Sequence, residues 1–351
     1  MRDAMATSPP RPVITLAIQR FDRTAALHTG IVRMDDVNVA YVLPGTSVAG
    51  ILNGTFEAAE MPLAHYVFLR SIGEPFTAIP VFPDRLFVQQ YVYTRPDTGI
   101  RSLADLRGRR VLVPMYFMTS SFWHRGMIED ETGIQPHEIE WHTTSPERDS
   151  RQRLPEDIKV VLTPGPHLGL ERLLDSSADC LMTEGTPQVS PEDRQRVVRL
   201  HTDAPAVQRD FFRRTGFHPI VHIIVLRREA VDRRPTILEE LCDGFDRAKQ
   251  SAYSLLQNER TTGLPLMRSY LDETVELFGD DPWPHGADGR NGAELDQFLE
   301  YAYKQGLTER RLSVEDLFDP PARQFRFRSR MSYGANLGAL SSTLGHVPAS
   351  F

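Results

Sequence analysis

Lysine, cysteine and long apolar runs are scarce in this 351-residue chain, and each scarcity removes a class of function. The lysines are Lys159, Lys249 and Lys304, so a Schiff-base mechanism has few candidates, and Lys249 falls in a helical pattern. Arginine carries nearly all of the positive charge. The two cysteines, Cys180 and Cys242, lie far apart in apolar surroundings with no CxxC spacing. They give no disulfide framework and predict two buried thiols in a reducing compartment. No apolar run approaches the roughly 20 residues of a membrane span, so no membrane partner is expected. The stretch Met1–Pro12, MRDAMATSPPRP, lacks a hydrophobic signal region and is read as a flexible leader of a cytoplasmic protein. Net charge is −7 and no long basic stripe precedes the C-terminus, which argues against a nucleic-acid partner.

What the chain does contain is a globular composition and more residues than one core usually spans, so two lobes are expected. Val13–Ile18 reads as a first strand and Val37–Leu43 as a second, with a short helix at Thr46–Asn53. Ala58–Met61 reads as a strand end, and Pro62 starts an apolar helix that runs to Arg70. Thr77–Phe82 is a further strand, and Phe87–Thr94 is rich in β-forming residues. Ser102 and Gly108 bound a short helix, after which a second series begins. Its strands are Arg110–Val113, Glu138–His142, Ile158–Leu162 and Ala178–Met182, with a helix at Leu168–Ser176. Ser145–Pro155 reads as a charged loop. Ile220–Leu226 is a return strand, and Pro235–Asn258, Leu264–Phe278, Asn291–Gln305 and Ser313–Phe318 form a helical block. The organisation expected is a leader (1–12), one lobe from 13–88 and 221–322, a second lobe from 89–220, and a basic, then Gly/Ser-rich tail (323–351). The tail suits an arm on another subunit, in a homo-oligomer.

The stretch RVLVPMYFMTSSFWHRG, Arg110–Gly126, is the most informative. A strand stops at Pro114, and Thr119, Ser120 and Ser121 stand where a helix begins. The first amides of a helix lack internal partners and attract anions. Ligands of open α/β sheets bind beyond the carboxyl ends of the strands. Candidate polar residues fall there repeatedly: Phe21, Asp22 and Arg23 after the first strand, Glu60, then Asp84 and Arg85, then Thr119 to Arg125, and Glu184. His222 lies on the strand expected to return between the lobes. Arginines in the cleft of an acidic protein imply an anionic ligand, since guanidinium pairs bidentately with carboxylate. Phe21, Phe82, Trp123 and Trp283 could wall a flat ring, so a small aromatic carboxylate is the expected ligand.

His218 and His222, four apart on the expected strand, would share a face, and His65 could join them around a divalent metal. No HExxH motif or carboxylate cluster accompanies them. A cofactor-free site with His222 as acid or base is the preferred reading, because histidine titrates near neutrality. A divalent metal stays open as the alternative.

Several motifs occur in order and at sensible spacing: FDR at Phe21–Arg23, AEM at Ala59–Met61, AIPVFPDRLF at Ala78–Phe87 and DLRGRRV at Asp105–Val111. MTSSFWHRG at Met118–Gly126, FFRRTGFHPIVH at Phe211–His222, GDDPWPHG at Gly279–Gly286 and the stretch Gln305–Phe318 complete them. Together they resemble the 4,5-dihydroxyphthalate decarboxylase family, relatives of type 2 periplasmic binding proteins. The resemblance implies an α/β fold of two lobes with crossing hinge strands and a helical C-terminal block. It also implies a carboxy-lyase acting on a hydroxylated, phthalate-like aromatic acid. Met115 and Phe117 replace more polar residues of the family, and His65 stands where a small hydroxyl residue is usual, so the substrate could differ from 4,5-dihydroxyphthalate. On this reading His222, with Glu60 or Glu184 as partner, transfers the proton. Arg23, Arg85, Arg125, Thr119 and Ser120 hold the acid, and Phe21, His65, Trp123 and Trp283 surround it. A non-catalytic carboxylate-binding protein and a dehydratase of the same fold are the competing readings.

Overall fold

Short apolar runs separated by turns fold into two sheets in the computed structural model, which describes residues 13–164, 169–258, 260 and 262–331. The expected leader and tail residues 332–351 lie outside the described residues. The strands are β1 Ile14–Ile18, β2 Val37–Tyr41, β3 Ala58–Pro62, β4 Phe76–Ile79, β5 Val92–Thr94, β6 Arg110–Val113, β7 Glu140–Thr143, β8 Val160–Leu162, β9 Cys180–Met182, β10 Val198–Arg199 and β11 His222–Arg227. The first sheet has the order β2-β1-β3-β11-β4 and the second β10-β5-β9-β6-β7-β8. In the first, β1 pairs parallel with β2 and β3, and β11 runs antiparallel between β3 and β4. In the second, β6 to β9 pair in parallel, while β5 and β10 are antiparallel additions.

The helices are α1 Asp22–His28, α2 Pro44–Leu52, α3 Leu63–Ser71, α4 Thr119–Thr132, α5 Leu170–Leu174, α6 Ala204–Thr215, α7 Arg228–Arg233, α8 Ile237–Leu256, α9 Met267–Phe278, α10 Gly289–Lys304, α11 Val314–Leu317 and α12 Pro320–Arg323. The strand–turn–helix expected at Arg110–Gly126 is present as β6 and α4. Asp22 and Arg23, which follow the first strand, open α1, because the Phe21 amide donates to Thr24 Oγ1 at 2.8 Å and starts the turn. The β-rich stretch Phe87–Thr94 divides into a 3₁₀ turn at Val88–Tyr91 and the three-residue β5. The return strand begins at His222, so His218 precedes it and does not share its face.

Two segments cross between the sheets side by side. Leu86 donates its amide to the Pro219 carbonyl at 2.9 Å, and Val221 donates to Asp84 at 3.0 Å. The helical block packs back beneath this crossing. Phe298 and Tyr301 of α10 lie 5.6 and 5.7 Å from the Trp123 ring of α4. One apolar cluster therefore runs from Ala59 and Tyr66 through Trp123 and Phe298 to Trp141. Each fully buried large side chain contributes about 1.5–3 kcal/mol. The cleft between the sheets thus has a rigid floor.

Candidate functional site

The carboxyl ends of β1, β3, β6, β7 and β9 converge on a cavity of about 260 Å³. That volume is near the low end of small-molecule sites, which span about 300–1,000 Å³, and suits a single-ring ligand better than a dinucleotide. Gln19, Phe21, His65 and His222 line it from the first sheet, and Asp84 and Leu86 from the crossing segment. Met115, Phe117, Thr119 and Glu184 face them from the second sheet, together with Glu147, Arg148 and Gln152 of the loop after β7.

Strand pairing builds the polar centre. Glu60 of β3 stands opposite Ile224 of β11, and Pro62 opposite His222. Glu60 and His222 are therefore diagonal neighbours on one face. His222 Nδ1 lies 2.5 Å from Glu60 Oε1 and 3.8 Å from Asp84 Oδ2. Glu60 is 2% exposed, and Gln19 holds it with its amide and its side chain, both at 2.9 Å. Burial by itself would lower the His222 pKa. The hydrogen bond and charge of Glu60, with Asp84 and Glu184, outweigh it and lift the pKa to about 9. Burial would raise the Glu60 pKa, but the bond and charge of His222 and the Gln19 contacts bring it below its ordinary value. The pair is an imidazolium–carboxylate at neutral pH. Burial raises the pKa of Asp84 and of Glu184 despite nearby positive charge.

The start of α4 forms the facing wall. Met118 is its N-cap with an extended backbone and no side-chain capping bond. The first amide to pair within this turn is that of Phe122, with the Met118 carbonyl. The hydroxyls are spent on packing: Thr119 Oγ1 accepts from the Ala64 amide at 3.1 Å, and Ser121 donates to the Met115 carbonyl at 2.9 Å. The amides of the first turn, rather than its hydroxyls, are what this helix offers an anion. Glu147 braces the preceding turn by accepting the Tyr116 and Phe117 amides at 2.7 and 3.1 Å.

The structure brings together only part of the predicted site. Phe21, His65, Thr119, Glu184 and His222 line the cavity, with Glu60 directly behind His222. Ser120 reaches it only through its bond to the Glu184 carboxyl. The expected arginine clamp is spent on the scaffold. Arg85 is buried against Glu294, Asn291 and the His218 carbonyl. Arg125 is buried between Gln305 and the Tyr116 carbonyl, with its guanidinium 3.8 Å from the Tyr116 ring centre. Arg23 binds the Pro83 carbonyl and stacks on Trp283 at 3.7 Å. Trp123 donates to the Ile220 carbonyl at 3.0 Å and Trp283 to the Phe82 carbonyl at 2.7 Å, so both indoles belong to the crossing rather than the cavity. His218 stacks on Phe87 at 4.5 Å, away from the Glu60–His222 pair. Among the described residues no group of three or more His, Cys, Asp or Glu side chains is placed to hold a metal ion.

Arg148 is the cavity cation that the sequence reading missed. It stands at the carboxyl end of β7, with Glu184 as nearby countercharge and no ion pair among the described residues. The position beyond a strand end that singled out the other candidates applied to it too. Its charged neighbours made the stretch look like a solvated loop.

No family model matches the chain. A 4,5-dihydroxyphthalate decarboxylase of Comamonas testosteroni is 28% identical over 88% of this chain and 96% of its own length. One from Pseudomonas putida is 26% identical over 58% of this chain and 83% of its own length. The periplasmic aliphatic sulphonate binding protein SsuA of Escherichia coli superposes with a TM-score of 0.51 at 14% identity, over 89% of this chain and 98% of its own. The alkanesulfonate-binding protein SsuA of Xanthomonas axonopodis pv. citri gives 0.54 at 11% identity, over 89% and 99%. The sequence relatives bear out the resemblance drawn from the motifs. The solved structures bear out the two-lobed periplasmic-binding-protein-like α/β fold.

Proposed function

We propose that this chain is a carboxy-lyase that removes CO₂ from a hydroxylated, phthalate-like aromatic acid. The observation that carries the reading is the buried Glu60–His222 pair at the wall of a compact cavity. With Nδ1 engaged by Glu60, Nε2 is the nitrogen left for a substrate. A pKa of about 9 keeps the imidazole protonated at neutral pH, which makes His222 an acid rather than a base. A ring hydroxyl pushes electrons to the carbon that bears the carboxylate. That carbon takes the Nε2 proton, and a new C–H bond forms. The C–C bond then breaks, CO₂ departs, and its bonding pair restores the aromatic ring. Arg148 and the first-turn amides of α4 hold the carboxylates, while Phe21, Leu86, Met115 and Phe117 enclose the ring. No step in this scheme needs a cofactor.

The same reading places the lobe boundaries at 88/89 and 220/221, inside the paired crossing segments. It places the enzyme in the cytoplasm as a homo-oligomer; the buried free thiols of Cys180 and Cys242 are in keeping with a reducing compartment. Among the described residues no helix is long and apolar enough to cross a membrane.

The test is incubation of the purified protein with a panel of hydroxylated aromatic acids, following CO₂ release and product mass. Release of one CO₂ per acid consumed supports the reading. Tight binding with no CO₂ would make the chain a solute-binding protein, and loss of water would make it a dehydratase.

A further inference from the structure

His65 stands out among the cavity residues because its polar atoms have nothing to bond. It is 3% exposed, and neither ring nitrogen has a hydrogen-bond partner among the described residues. A buried polar group without a partner costs stability, and natural structures hold few of them. This one lies on the cavity wall. It is also fixed there. The Leu63 amide donates to the Val221 carbonyl at 2.8 Å, and the Ala64 amide donates to Thr119 Oγ1. The first turn of α3 is thus pinned to the crossing strand on one side and to α4 on the other, so its backbone cannot carry the ring away.

We infer that His65 selects the substrate by accepting a hydrogen bond from a ring hydroxyl. The inference rests on the decarboxylase reading and names the substituent that the cavity requires. Burial, then the charges of Arg148 and Arg151, lowers the His65 pKa to about 4, with Asp149 opposing them, so the ring is neutral under ordinary conditions. A neutral imidazole has one N–H and one bare nitrogen. The N–H can meet any acceptor, a carboxylate included, but the bare nitrogen can be satisfied only by a donor. On an aromatic acid that donor is a hydroxyl. The carboxylates have the positive charge of Arg148 on the same cavity to meet them.

The experiment measures binding of 4,5-dihydroxyphthalate and of phthalate by calorimetry to the wild type, His65→Leu and His65→Gln, with a melting curve for each. The wild type is expected to prefer the dihydroxy acid by about 10- to 100-fold, the usual worth of a buried hydrogen bond left unmade. His65→Leu should weaken the dihydroxy acid alone and bring the preference to within about threefold. His65→Gln, which keeps a carbonyl acceptor, should recover part of it. A folded His65→Leu that keeps the wild-type preference overturns the inference. If His65→Leu does not fold, His65→Phe, a flat ring without nitrogens, carries the same comparison. If the wild type binds neither acid and releases CO₂ from no hydroxylated acid, the decarboxylase reading fails instead, and this inference falls with it.

Discussion

At the scale of single residues the cavity separates groups that act from groups that hold. On the proposed reading His222 is the group that acts. His222→Asn keeps a hydrogen-bonding side chain but cannot titrate, and should lower kcat by about 10²–10⁴-fold with little change in KM. Turnover at the wild-type rate in a folded variant would leave His222 as structure. The sign of the pH effect follows from its raised pKa. The protonated form is the working acid, so activity should hold through neutrality and fall as pH rises through about 9. In Glu60→Gln the strongest influence that opposes burial is gone, and a pH–rate profile should show that alkaline limb moved to lower pH. The same pairing favours the fold fully below the ordinary histidine pKa of about 6.5, and the benefit is lost as pH rises through about 9. The cavity arginine and a scaffold arginine should part company as well. Arg148→Ala should weaken acid binding by about 1.5 kcal/mol or more, the low end for a charge-assisted bond. Arg125→Ala should leave affinity unchanged in the folded fraction and lower unfolding free energy by at least about 2 kcal/mol. Calorimetry beside urea unfolding distinguishes the two patterns.

The element on which most of the site depends is α4. Its N-cap Met118 and first residue Thr119 line the cavity, and its second turn is clamped by α10. At Gly126 the Tyr301 ring of α10 lies directly against α4: a methyl group there would overlap that ring. Gly126→Ala should cost about 1–3 kcal/mol by overpacking, measured as a lower urea midpoint with an unchanged slope. Tyr301 in turn bonds to Asp130 of the same helix, so a shift of its ring would carry α4 with it. The loop after β7 works differently. Glu147 ties it to the turn before α4, while Arg148 beside it lines the cavity with no ion pair among the described residues. One loop thus orders the helix start and supplies the charge that faces it.

Over the whole molecule, the two sheets are held in register by a buried brace under the crossing segments. Glu294 of α10 accepts the amides of His218 and Ile220 at 3.1 and 2.6 Å and pairs with Arg85 at 3.3 Å, and both side chains are fully buried. Glu294→Ala would leave a buried guanidinium uncompensated and two amides unpaired. It should destabilise the protein by about 3–5 kcal/mol, the cost of breaking a buried ion pair from one side. Urea unfolding measures it, and a loss below about 1 kcal/mol would show that water or a rearranged Arg85 replaces the carboxylate.

Local pattern determined much of this protein. The apolar run Arg110–Val113, its stop at Pro114 and the helix that follows were legible because strand, turn and helix start are properties of consecutive residues. The two β/α series and the helical block were legible for the same reason. Which strand end faces which is set by long-range pairing, and that the sequence does not spell out. The antiparallel register of β3 and β11 turned Glu60, rather than Glu184, into the hydrogen-bond partner of His222. Arg85 and Arg125 looked like ligand arginines because they follow strands, but a long guanidinium side chain can reach carbonyls that folding brings close, and the scaffold took both. Arg148 looked like a charged loop residue because nothing in its own stretch says that β7 ends beside β6, at the mouth of the cavity. Only tertiary packing decided which arginines bind the scaffold and which one lines the cavity, because those contacts join residues far apart in the chain.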